Sequence, residues 1–139
     1  AELALAAGQP QQALDLVERH PAPQLRPAVL LHAQAQLALQ RPALASERLQ
    51  TWVTTHPQDA QAWQWLAQAW QAQNQPLRAL RAQAEAQVAI RDFSAAQDRL
   101  KAAQDLARRG GNQDHIEASI IDTRLRAVTE LLREEARKQ

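Results

Sequence analysis

Residues 59–76 read Asp59-Ala60-Gln61-Ala62-Trp63-Gln64-Trp65-Leu66-Ala67-Gln68-Ala69-Trp70-Gln71-Ala72-Gln73-Asn74-Gln75-Pro76. At about 100° per residue, Trp63, Leu66, Ala67 and Trp70 share one side of a helix, and Gln61, Gln64, Trp65, Gln68 and Gln71 fall on the other. Asn74 then closes this helix and Pro76 opens the next. Asparagine tolerates the left-handed conformation that ends a helix, and a proline in the first helical turn gives up no useful N–H. The same punctuation stands in Gly8-Gln9-Pro10-Gln11-Gln12-Ala13-Leu14 and Gln40-Arg41-Pro42-Ala43-Leu44-Ala45, with the three prolines 32 and 34 residues apart. His20-Pro21 and His56-Pro57, 36 apart, each close the second helix of a pair. The unit is helix, tight turn, helix, loop, with a period near 34 residues.

Composition agrees. Of 139 residues, 30 are Ala, 21 Gln and 19 Leu, against 3 Gly and 14 Val, Ile or Thr. Strands favour β-branched and aromatic residues and sheet turns favour glycine, so a sheet protein is excluded and an all-α chain expected. Large apolar side chains are scarce, so helices must approach through small residues. The length fits one domain. Sixteen basic against 15 acidic residues leave a net charge of +1, too little to recruit nucleic acid or anionic lipid through a global field. Without cysteine there is no disulfide or thiolate chemistry. No apolar run approaches the ~20 residues that span a bilayer, so no membrane insertion is expected.

Working outward, eight helices are predicted: about 1–7, 10–20, 24–39, 42–56, 59–73, 76–90, 93–109 and 114–137. Arg91-Asp92-Phe93-Ser94-Ala95-Ala96 is another turn followed by small residues, and its Phe93 follows Pro76 by 17 residues, half a period. Helix 76–90 therefore closes one repeat and opens the next. Gly110-Gly111 ends helix 93–109. Asp114, with Glu117 three residues on, reads as a capping box for the last helix. That helix carries one apolar stripe, Ile121, Leu125, Val128 and Leu132, expected to cover helix 93–109. Asp122 with Arg126, and Glu134 with Lys138, form i,i+4 pairs on its wet side.

Residues 59–73 and the following Ala79 resemble the tetratricopeptide repeat: a large residue (Trp63), a Leu-small pair (Leu66-Ala67), an aromatic (Trp70), the turn and a small residue (Ala79). The copy before it keeps Ala45, Leu49 and Pro57 but has His32-Ala33 for Leu-small and Gln36 for the aromatic. The resemblance implies a right-handed α-α superhelix, with first helices lining a concave face. One domain, 1–139, then comprises a truncated repeat (1–21), repeats 22–57 and 58–91, a half-period overlapping repeat (76–109) and a capping helix (114–139), because stacked repeats need covered ends.

Chemistry is sparse. His20, His32, His56 and His115 are scattered, and His32 reads as a packed core histidine. HExxH, a glycine-rich phosphate loop and G-x-S-x-G are all absent. No active site, cofactor or metal is expected in this chain. Arginines at 78, 81, 91, 99, 108 and 109 are interleaved with acids, which suits a solvated face better than a phosphate track. In a tetratricopeptide arrangement Gln61, Gln64, Trp65, Gln68 and Gln71 face the groove, with Gln34 and Leu37 one repeat earlier and Arg78, Arg81 and Glu85 one later. Amides beside an aromatic ring suit an extended peptide segment. The alternative reading wedges Trp65 between adjacent first helices and leaves the glutamines wet.

The stretch 91–126, with Asp92-Phe93-Ser94-Ala95-Ala96, Ala102-Ala103-Gln104-Asp105-Leu106-Ala107-Arg108-Arg109-Gly110-Gly111 and Asp114-His115-Ile116-Glu117, resembles the tail of a bacterial metalloprotease family. Its members join an N-terminal HExxH zinc peptidase domain to a C-terminal tetratricopeptide domain. The resemblance implies a periplasmic docking domain, a piece of a longer chain, that presents outer-membrane proteins or their assembly machinery to the attached protease. None of that family's zinc ligands can be carried onto these residues. The rival expectations are a self-assembling scaffold, hence a homo-oligomer, and a stand-alone adaptor or co-chaperone.

Overall fold

The computed structural model describes residues 10–18, 25–110 and 114–138. Among them are seven helices and no strand: α1 (Pro10–Glu18), α2 (Arg26–Ala38), α3 (Pro42–Thr55), α4 (Ala60–Ala72), α5 (Pro76–Ala89), α6 (Phe93–Arg109) and α7 (His115–Arg137). The expected helix 1–7 and the His20-Pro21 turn lie outside the described residues. Each helix packs on the next; beyond neighbours, α2 packs on α4 and α5 on α7. The protein is all-α.

Three turns share one geometry. Gln40, Asn74 and Arg91 take φ of 60°, 60° and 63°. In each, the following residue donates its N–H five residues back: Arg41 to Gln36 O (2.8 Å), Gln75 to Trp70 O (3.0 Å) and Asp92 to Gln87 O (2.9 Å). This is the Schellman closure, whose left-handed position favours glycine or asparagine. Glutamine and arginine occupy it at a cost of about 1–2 kcal/mol. Pro42 and Pro76 stand at the starts of the helices that follow. Asp59, Asp92 and Asp114 cap α4, α6 and α7 by accepting the backbone N–H of Ala62, Ala95 and Glu117.

The core is thin in bulk. Among the described residues, 13 of the 24 buried apolar ones are alanine, so backbones, more than large side chains, meet across the helix pairs. A first cluster joins α2, α3, α4 and α5 through Leu30, Leu49, Val53, Trp63, Leu66 and Ala82. A second joins α5, α6 and α7 through Ala84, Phe93, Leu100, Ile121 and Val128. Leu125 and Leu132 pack half-buried against that second cluster, so the stripe on α7 does face the core. Gln73 ties the α4 end to α3, donating to Pro42 O, Ser46 Oγ and Ala69 O.

Two local expectations for α7 are corrected. Asp114 caps the helix, but the Glu117 side chain does not reach back to complete a capping box; it accepts a hydrogen bond from Arg81 of α5 instead. A buried carboxylate gains more from a cation than from a cap N–H that water can reach. Asp122 accepts from Gln104 Nε2 of α6 at 2.8 Å, and the ion pairs along α7 are Arg133 and Arg137 with Glu130 rather than the expected i,i+4 pairs.

Candidate functional site

The helical period decides what α4 shows to solvent. Trp63, Leu66 and Ala67 are buried, Trp70 half-buried, and Gln61, Gln64, Gln68 and Gln71 exposed. Trp65 is half-buried: with Leu37 of α2 it packs against the first core cluster and still reaches the surface. Because α2 lies against α4, the half-buried Gln34 and Leu37 stand on the helix beside this row. Seven of the expected groove residues therefore belong to two adjoining helices. Four of them are amides open to solvent, beside one ring whose inner edge is fixed by packing.

One end of this face is tied down by Asp59. Its carboxylate accepts from Arg26 Nε (2.8 Å) and Nη2 (3.1 Å), from Trp52 Nε1 (2.9 Å) and from the N–H of Ala62 (3.2 Å). Burial alone would raise the Asp59 pKa, but hydrogen bonds from Arg26, Trp52 and Ala62, with the Arg26 charge, hold it below the usual carboxylate range. Arg26 also donates to Gln61 Oε1 at 3.0 Å, so the first amide of the row is already engaged. Trp52 stacks on His56, ring centroids 3.6 Å apart. Sequence reading missed Arg26 and Asp59 as a unit. Their separation of 33 residues, one repeat period, was the signal available.

The remaining three expected groove residues are taken up elsewhere. Arg81 pairs with Glu117, at 15% and 4% side-chain exposure. Glu85 receives two hydrogen bonds from Arg124, at 2.8 and 2.7 Å. Arg78 lies 4.9 Å over the Trp70 ring, its Nε 3.6 Å from Asp114. Positions 78, 81 and 85 share one face of α5 at helical spacing, and α7 covers that face with charges in complementary order. These side chains face α7 and so stand apart from the row of amides on α4.

His32 of α2 is half-buried. Burial, reinforced by the charge of Arg48, lowers its pKa to about 4. Its Nδ1 is buried without a hydrogen bond, and Nε2 lies 3.4 Å from Gln36 Nε2. It borders a cleft of about 750 Å³ between α2 and α3, walled by Val29, Leu44 and Trp52. Among the described residues no three His, Asp or Glu side chains gather so as to hold a metal ion, and no helix is long and apolar enough to cross a membrane. Compared with protein-family models and with curated proteins, the sequence matches none.

Proposed function

We propose that this chain is a non-catalytic protein-docking scaffold of the tetratricopeptide type, with α2 and α4 as first helices facing an extended protein segment. The observation that carries the reading is the row Gln61, Gln64, Gln68 and Gln71, exposed beside the half-buried Trp65 ring. Gln64, Gln68 and Gln71 each offer both donor and acceptor to a peptide backbone, Gln61 keeps its N–H donors beside the bond from Arg26, and the ring offers a flat apolar seat. In full, the reading is a C-terminal domain that docks outer-membrane proteins, or their assembly machinery, for an attached periplasmic zinc peptidase domain. The likeness of residues 91–126 to that family supports it.

Titration of unfolded outer-membrane-protein peptides tests the reading. Trp65→Ala should weaken binding by ~2 kcal/mol, about thirtyfold, as loss of an aromatic anchor does. Gln64→Ala with Gln68→Ala, at exposed positions, should weaken it with no change in melting temperature. Amidating the peptide C-terminus should change little, since amides supply no charge to a carboxylate. If the double glutamine variant and Trp65→Ala both bind as wild type does, the face on α2 and α4 is not the docking surface.

A further inference from the structure

A cavity of about 560 Å³ lies where the loop between α3 and α4 meets α4, α5, α6 and α7. It is within the range that small-molecule sites occupy. Its apolar wall is Trp63, Val88, Phe93 and Leu131. Its polar groups are unequally committed. The Trp63 indole N–H donates to Pro57 O at 2.8 Å. The Glu85 carboxylate is held by Arg124 through Nε and Nη2, which leaves the Arg124 Nη1 donors. Arg91 sits with Cζ 5.3 Å from the Phe93 ring centroid, and among the described residues no carboxylate lies within ion-pair distance of it. The cavity thus holds one acidic group, already neutralised, against two guanidinium groups with spare donors. Of its charged groups, Arg91 is the one without a counter-charge among the described residues.

We propose that this cavity binds a carboxylate carried on an aromatic or branched apolar body, the carboxylate meeting Arg91 and the apolar body lying against the half-buried Val88 and Leu131. A guanidinium edge matches a carboxylate with two parallel N–H donors. Arg91 projects from the left-handed turn position described above, so its backbone is fixed by the turn while its side chain reaches the ligand. The same position in the other two turns carries uncharged Gln40 and Asn74. This site is separate from the α2 and α4 face and does not depend on that face binding anything.

The test uses the full chain and 3-phenylpropionate, 3-phenylpropionamide, and a short peptide ending in phenylalanine with its C-terminal amide. Calorimetry gives affinity, and the NMR shift of the Trp63 indole N–H reports the place. The acid should bind at millimolar concentration and move that resonance, and the amide should not. Arg91→Gly should weaken the acid by about fivefold or more without lowering the melting temperature, because glycine suits the left-handed turn. Arg91→Lys, which keeps the charge but loses the paired donors, should weaken the acid less than Arg91→Gly does, and Gln40→Gly should leave its affinity unchanged. Tighter binding of the free-acid peptide would identify a chain end as the source of the carboxylate, and preference for 3-phenylpropionate a small organic acid. No binding of either, equal binding of acid and amide, or wild-type affinity in Arg91→Gly would overturn the proposal.

Discussion

Arg81→Met isolates the contact that holds α7 to α5. In the native protein Glu117 is 4% exposed and Arg81 15%. Removing the cation leaves a carboxylate buried without its counter-charge, while Asp114 still caps the helix. Breaking a buried pair from one side costs ~3–5 kcal/mol, and the residual access of water at Arg81 places the expected loss near ~3 kcal/mol. For a chain of this size that lowers the melting temperature by roughly 10 °C. Arg81→Met with Glu117→Leu removes both charges and should recover most of the loss, since a well-packed apolar pair is often neutral relative to a buried ion pair. Urea unfolding at constant m-value, run as a double-mutant cycle, measures the coupling. A single-variant loss below ~0.5 kcal/mol with no coupling, within the scatter of ordinary surface substitutions, would refute the assignment of Arg81 to α7. Peptide binding on α4 should be unchanged in the double variant.

Gln40→Gly relieves a side chain in the left-handed region and should stabilise the protein by up to ~1 kcal/mol in thermal unfolding. His32→Leu should stabilise the protein most below pH 6. The folded His32 resists protonation down to about pH 4, so wild type loses stability as pH falls from the unfolded value near ~6.5, a loss the leucine variant should not show. Asp59→Asn should destabilise at neutral pH and flatten the acid limb. The lowered folded pKa of Asp59 gives stability that is present above the unfolded value near ~3.9 and lost as pH falls through the folded one.

Local signals carried most of the helix boundaries. Asn74 and Gln40 ahead of proline, the turn at Arg91-Asp92, Asp114 as a cap, and His56-Pro57 all act within a few residues, and the described helices begin and end within two or three residues of their expected places. The charges on α5 were read differently from what the structure contains because their partners are remote. Arg81 and Glu117 are 36 residues apart, and Glu85 and Arg124 are 39. Which face of α5 meets α7 depends on how three helices stack, and no local pattern encodes that. Glu117 shows the competition in one residue: spacing from Asp114 pointed to a cap, and burial beside Arg81 decided against it. The exposure of Gln61, Gln64, Gln68 and Gln71 followed directly from helical period, whereas the partial burial of Trp65 depends on contacts with the first core cluster.

The 14-residue α5 is a party wall. Ala82 and Ala86 face one cluster, and Leu77, Leu80, Ala84 and Val88 face the other. Among the described residues, helices α2–α4 and helices α6–α7 meet chiefly through this one rod. Alanine on the α4 side lets the two helices pack closely, while ion pairs fix the α7 side in register. The α4 side is therefore the one that added side-chain volume would disrupt, and the α7 side the one that a change of charge would.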